Sequence, residues 1–500
     1  MCLAINRLNE VKNNDKKIIF TALLLLTAVI VFNTLMFNYQ RPTGEPQSLP
    51  VLGDTSELIE RLSQALQFKT ISTIEREAKD NQSELVKFHQ FLAQAFPLVS
   101  ANLSLTKIND HSLLYYWQGQ NSQLKPMMLL AHQDVVPVAQ NTLERWQHPP
   151  FAGYISDDSV FGRGALDIKS ALMGQLEAIE SLLATGFKPQ RTIYLAYGHD
   201  EEIGGSQGAK KIAQHLLAQG VQFEYILDEG GSILENGVIP SINTPVAVIG
   251  IAEKGYVSLE LTVEATGGHS SMPPPHTAVG ILSQAIVNIE NHPLPANLTF
   301  SAEMFANIGP KMALVQKIIF ANMWLTKPLV ELILSKSNTT NATIRTTTAV
   351  TMVQGSVKDN ILPNIATAVV NFRLMPSDSV NFLVSYITDV ISDDRVTISI
   401  RQDFQPGSAI SSTNSLGFKV IEKTIAQIEQ DPELVITPYL VVGATDARHY
   451  EKLSNNIYRF TFNRYSPASL NQMHGINEQI TIKDYIEGVK FYQQLLLNSQ

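Results

Sequence analysis

The stretch MMLLAHQDVVPV, residues 127–138, decides how this chain is read. An apolar run from Met127 to Ala131 ends on His132 and Asp134, two residues apart. Short apolar runs without alternation suit strands covered on both faces, and the carboxyl ends of such strands are where an open α/β sheet gathers its ligands. Alone, His-x-Asp reads as a hydrogen-bonded structural pair. Its company downstream points elsewhere.

Two further apolar runs, Thr192 to Tyr197 and Phe223 to Leu227, lead straight into acids. The first opens GHDEEIGG (198–205) with Glu201 and Glu202, and the second opens LDEGG (227–231) with Asp228 and Glu229. A solvated charged loop is the ordinary reading of adjacent acids. Between a buried strand and a glycine pair, however, uncompensated carboxylates are costly unless a cation relieves them. GRGALDIK (162–169) sets Asp167 at a strand-to-helix transition, where a helix N-cap is the alternative. QMHGIN places His474 in a late, turn-rich segment. Two imidazoles and several carboxylates from separate strand ends form a mixed N/O set suited to zinc or a similar divalent metal. With Asp167, Glu202 and Asp228 ionised and both histidines neutral, three negative charges face the four of two such ions, and a hydroxide would complete neutrality.

Between these segments the pattern is helical. Ile168 to Leu183 carries apolar residues at Leu172, Leu176, Ile179 and Leu183 and closes at Gly186 and Pro189, and a second helix follows Ser206 as far as Ala218. Strands alternating with helices predict an α/β domain around a mostly parallel sheet. From about Glu253 the texture changes. Tyr256 to Glu264 alternates like a half-buried strand, Ala278 to Glu290 is helical, and Thr346 to Val353 and Ile365 to Leu374 are β-rich. Residues 253–376 are therefore expected to form an inserted second domain, with 51–252 and 377–500 as the two parts of the first. No internal repeat is evident.

Composition limits the alternatives. The 500 residues are 44% hydrophobic and 17% charged, too apolar for a disordered chain, and a formal charge of −9 argues against a nucleic-acid partner. The single cysteine, Cys2, excludes an intrachain disulfide scaffold. Ile18 to Phe37 is long enough to span a bilayer and carries no charge. Arg7, Lys12, Lys16 and Lys17 precede it and only Arg41 follows closely, which places residues 1–17 in the cytoplasm. Phe32 to Tyr39 offers no small-residue cleavage pattern, so an uncleaved anchor at 18–37 with a linker at 38–50 is expected rather than a signal peptide. The remainder would lie in a periplasmic, extracellular or lumenal space.

The five acid- and histidine-bearing segments resemble, in order and context, the zinc-dependent peptidase and amidohydrolase family that includes carboxypeptidase S, aminoacylase, carnosinase and the N-fatty-acyl-amino-acid hydrolases. The likeness covers about residues 55 to 495. IRTTTAVTM (344–352), DNILPN (359–364) and VVNFRLMP (369–376) bring it nearest the carboxypeptidase S and N-acyl-amino-acid hydrolase branch. The resemblance implies that His132 and Asp228 hold one zinc, Glu202 and His474 a second, and Asp167 bridges them. Cobalt or manganese can replace zinc in such a set. It also implies Glu201 as general base and Asp134 as the residue orienting His132. The inserted domain would be a lid and dimerisation surface, implying a homodimer. GGHSSMPP (267–274) resembles the lid motif whose His269 stabilises the oxyanion, frequently across a dimer. Asn360 and Arg448, the latter in GATDARHY (443–450), resemble substrate contacts, with Arg448 near the substrate carboxylate. A turn residue and a surface salt bridge are their plainer readings.

The implied activity is hydrolysis of an amide beside a free carboxylate, by a carboxypeptidase or an N-acyl-amino-acid amidohydrolase. Alternatives are a dipeptidase of the same family or a non-catalytic metal-binding receptor or scaffold. The scaffold reading is disfavoured because all the implied ligands and Glu201 are present. A serine hydrolase is disfavoured beside this set of implied metal ligands. Phe305 to Leu334, apolar and helical, reads as lid core or dimer interface, with an acyl-chain groove as the sharper alternative.

Overall fold

The computed structural model describes residues 2–44, 49, 52–73, 79–401 and 404–500, so part of the expected 38–50 linker lies outside the described residues. The Met127–His132 strand is buried at all six positions, as its unbroken apolar run requires. It lies parallel to Ile193–Gly198 on one side and to Tyr225–Asp228 on the other. Beyond Ile193–Gly198, Ser112–Trp117 and Ser104–Ile108 extend the sheet antiparallel. In the other direction come Ile457–Arg459, Val246–Glu253, Ser232–Leu234 and Arg464–Tyr465, and Val435–Val441 also pairs with Val246–Glu253, which makes ten strands.

The sheet is mixed: among the described residues five strand pairings are parallel and four antiparallel. Parallel pairing joins the strands that lead into the acid-rich loops, and much of the antiparallel pairing lies toward one edge. The cause at that edge is local: Asn109 and Asp110 both take positive φ, 49° and 66°, a tight reversal that returns the chain as a hairpin. The helix Lys169–Ala184 is buried along most of its length between the sheet core and the C-terminal helix Ile482–Asn498. Across the sheet, Ala209–Ala218 packs with the short 3₁₀ turn Asp446–Tyr450 over Met128, Leu130 and Ile226.

A second, four-stranded antiparallel sheet runs Thr347–Gln354, Ile365–Leu374, Gly255–Glu264, Val396–Ile400. Gly255–Glu264 alternates buried and half-buried positions, the period-two pattern of a sheet with one covered face. Helices Ala278–Asn291 and Val380–Ile391 close a separate apolar core on it. The boundary expected at 376 moves accordingly: this sheet takes in residues up to Ile400, because Val396–Ile400 pairs with Gly255–Glu264 and the helix before it buries Leu383 and Ile387. The helical stretch expected to be lid core is also reassigned. Met304, Phe305 and Ile308 pack with Val246, Val248 and Val435 of the large sheet and stand outside the second core. Sequence periodicity could not assign this stretch, since an apolar helical face does not name the sheet that receives it.

At the N-terminus, a helix spans Cys2–Met36. Its Lys16–Met36 part is the one described helix long and apolar enough to cross a membrane.

Candidate metal centre

His132 ends its strand fully buried. Its Nδ1 lies 2.9 Å from the carbonyl oxygen of Asp134. A carbonyl only accepts, so Nδ1 carries a proton and Nε2 is the atom aimed into the site. That atom is 2.9 Å from Asp167 Oδ1 and 3.4 Å from Glu229 Oε1. Asp167 Oδ2 is 2.8 Å from His474 Nε2, which also lies 3.3 Å from Glu202 Oε2. Asp167 thus sits between the two imidazoles, one oxygen toward each.

Asp134 has two tasks. Its carbonyl fixes His132, while its buried carboxylate accepts the backbone N–H groups of Glu201 (3.1 Å) and Glu202 (3.2 Å). Those two bonds hold the 3₁₀ turn Glu201–Ile203 against the neighbouring strand end. The orienting role expected of Asp134 is played mainly by its backbone, with its Oδ1 at 3.4 Å from His132 Nδ1.

The expected ligand Asp228 is placed differently. Its Oδ2 accepts from Ala447 N at 2.8 Å, whereas Glu229 faces His132. Strand alternation explains the exchange. Asp228 continues the face of Ile226, which packs against Ala447, and Glu229 turns to the opposite face. Alternation counted from Ile226 was the signal in the sequence that could have separated the two.

Three other residues escaped sequence reasoning. Asp446 is a buried carboxylate whose Oδ1 has no hydrogen-bond partner among the described residues. Glu478 and Arg163 lie beneath the site. Glu478 Oε1 accepts from the backbone N–H of Gly164, Leu166 and Asp167, and Arg163 Nη2 donates to the carbonyls of His474 and Gly475. These bonds hold His474 at φ 58°, a left-handed conformation that costs a non-glycine residue roughly 1–3 kcal/mol and is usually found where function demands it.

The electrostatics call for a cation. Burial, with neighbouring Asp167, pushes the Glu229 carboxyl up to about 8. Burial likewise raises Glu202, and raises Glu201 well above the carboxylate range despite the opposing pull of His132. Hydrogen bonds to Asp167 and Glu202 lift His474 to about 10. Burial opposes protonation of His132, but Glu229, Asp134 and Asp167 outweigh it and hold its pKa well above the usual value. Glu202 Oε1 is buried with no hydrogen-bond partner among the described residues. Within one group His132, Asp167 and Glu202, and within another His132, Glu201 and Glu229, each offer an atom within 4.8 Å of the others. Imidazole nitrogens and carboxylate oxygens at this spacing fit a divalent metal.

The family model for Peptidase family M20/M25/M40 matches residues 128–498. This chain belongs to the M20 peptidase family. It is 41% identical over 498 residues to probable carboxypeptidase S-like 2 of Dictyostelium discoideum, covering 98% of this chain and 95% of that one. It is 38% identical over 510 residues to the N-fatty-acyl-amino acid synthase/hydrolase PM20D1 of Xenopus tropicalis, covering 99% and 97%. Among solved structures, the M20 family metallo-carboxypeptidase Sso-CP2 from Sulfolobus solfataricus shares the fold at a TM-score of 0.62 and 18% identity, covering 89% of this chain and 99% of that one. The chain is accordingly a hydrolytic enzyme of the metallopeptidase and amidohydrolase type.

The remaining M20 site candidates are more dispersed. Arg448 stands beside the Glu201–Ile203 turn, its Nη2 3.9 Å from where a side chain on Gly204 would begin, and its Nη1 donates to Gln405. His269 is exposed on the second unit, in a two-stranded ribbon with Ile361–Leu362, and its Nδ1 accepts from Ser271. Asn360 is exposed beside it, its carbonyl accepting from Ser270 N. Among the described residues, neither His269 nor Asn360 makes a hydrogen bond or ion pair with His132, Asp167, Glu202, Glu229 or His474.

Proposed function

We propose that this protein is a membrane-anchored, two-zinc amidohydrolase that cleaves an amide next to a free carboxylate. The observation that carries the reading is Asp167 lying between His132 and His474, with Glu201 and Glu202 on the adjoining turn. His132 and Glu229, in place of Asp228, would hold one zinc, Glu202 and His474 the other, and Asp167 would join them. Zinc bound there supplies Lewis acidity and lowers the pKa of a coordinated water.

Glu201 takes the proton from the attacking water and returns it to the departing nitrogen. Its buried surroundings favour the protonated form, which suits the second half of that task. Arg448 offers a two-pronged donor for the substrate carboxylate. His269, delivered by a second subunit, donates to the carbonyl oxygen as negative charge develops there. An apolar recess of about 470 Å³, lined by Ile71, Pro137, Val138, Leu143 and Phe151, is formed in part by the loop that follows His132 and would suit an apolar acyl group.

The test is release of free amine by the purified protein, zinc-loaded or chelated, from N-acyl amino acids of rising chain length and from N-blocked dipeptides. Metal-dependent release that favours long acyl chains is expected. No release from any substrate, with the metals bound and the fold intact, would overturn the reading.

A further inference from the structure

The N-terminal helix does not stand clear of the rest of the chain. Asn33 Nδ2 donates to Asn322 Oδ1 at 3.1 Å, and the buried Asn322 Nδ2 lies 3.4 Å from Thr34 Oγ1. The Phe37 ring closes on Gly309 so tightly that a Cβ there would come within 2.7 Å of it. Immediately beyond, the Tyr39 hydroxyl accepts from Ile436 N at 2.8 Å, and the Arg41 guanidinium donates to the carbonyls of Glu429 and Asp431 at the end of another helix. The chain therefore leaves the apolar helix with no slack.

Depth follows from helix geometry. Ile30 to Met36 covers about 10 Å at 1.5 Å per residue, the last third of the apolar span. Whatever packs against those turns lies at the same level as they do. What packs there is the helix Leu314–Ala321 together with Asn322, and Met323–Leu334, which follows Asn322, packs against Leu314–Ala321 in turn.

The outward side of that pair is apolar. Leu314, Val315, Trp324 and Leu332 are 68%, 70%, 61% and 57% exposed, with Leu325 and Leu329 also exposed. Residues 309–336 carry four lysines and one glutamate in a chain of net charge −9. An apolar face with tryptophan and lysines is the composition of a helix lying in the interfacial zone of a bilayer, where lysine stems reach toward the headgroups.

We propose that these two helices are embedded in the catalytic-side leaflet of the bilayer that holds the N-terminal helix, so that the enzyme has a membrane-resting surface as well as an anchor. The proposal rests on the anchor reading. Lipid acyl chains cover Leu314, Val315, Trp324 and Leu332, and the Asn33–Asn322 pair satisfies its polar groups internally, as membrane-depth polar groups must be.

Trp324 is a built-in reporter, because Trp117 and Trp146 are buried. The full chain and its Trp324→Phe variant would be reconstituted into anionic phospholipid vesicles with bromines at defined acyl positions, and carbonate extraction would first establish that the chain is integral. Loss of the chain to the carbonate supernatant would defeat the anchor reading, and this proposal with it. For an integral chain, the expected result is quenching of the Trp324 component by lipid brominated near the top of the acyl chain, with little quenching by aqueous iodide. Iodide quenching without bromolipid quenching would overturn the membrane surface and leave the anchor standing. Protection from both quenchers, with a cross-linked dimer through this face, would assign it to a second copy and overturn the proposal.

Discussion

Arg163 Nη1 lies 2.5 Å from Glu478 Oε2 beneath the candidate metal centre, joining residues 315 positions apart in the chain. Both side chains are buried, and between them they hold the loop that presents Asp167 and the loop that presents His474. Glu478→Gln leaves the Arg163 charge without its partner. The expected loss is about 3–5 kcal/mol of stability, the usual cost of breaking a buried pair, with weaker metal retention at the His474 side. Denaturant unfolding and metal analysis after dialysis check both. Parental stability and full metal content would deny the pair this role.

Glu201→Gln keeps the shape of the side chain and removes the base. Metal content should stay at the wild-type value while kcat falls by roughly 10²–10⁴. Stopped-assay kinetics beside elemental analysis make the comparison. A variant turning over at the parental rate would take Glu201 out of proton transfer.

Asp228 and Glu229 separate cleanly by substitution. Glu229→Gln should lower zinc stoichiometry, as should His474→Ala, whereas Asp228→Asn should retain zinc and destabilise the turn that carries Arg448 through its bond to Ala447 N. If Asp228→Asn loses a zinc and Glu229→Gln keeps both, the assignment reverses.

The metal-free protein should lose stability as pH rises. His474, raised to about 10 by Asp167 and Glu202, binds its proton more tightly folded than unfolded, so its contribution is complete below about 6.5 and disappears through 10. Glu229, raised to about 8 by burial, works in the same direction between about 4.3 and 8, because the folded state again holds the extra proton. His474 is half exposed, so solvent screening reduces its share. Thermal unfolding of chelated protein should therefore give a lower Tm at pH 9 than at pH 6, and zinc should flatten the difference. An equal or higher Tm at pH 9 without metal would contradict this.

Much of this was legible from residue order. The apolar runs before His132, Glu201 and Asp228 are strands of one sheet, because a strand covered on both faces writes itself as unbroken hydrophobicity. His132, Asp167, Glu202 and His474 do converge. Glu229 rather than Asp228 faces His132, and because the two are neighbours only the facing direction tells them apart. Arg163 and Glu478 act through backbone groups, which leave no mark in composition. The end of the second unit was missed because Val380–Ile391 and Val396–Ile400 read as readily as a helix and strand of the first. The partner of Met304 to Ile308 is a packing fact that periodicity does not encode.

The grip of Arg41 and Tyr39 bears on how the enzyme meets its substrate. With the N-terminal helix in a bilayer, the catalytic unit has no leash on which to swing. It would drift and turn with the lipid as one piece, the His132–Asp167–His474 cluster at a constant height above the surface. Amphiphiles spreading laterally in the same leaflet would reach it by a two-dimensional search, while water-soluble amides would have to arrive from above at a unit that cannot lean toward them.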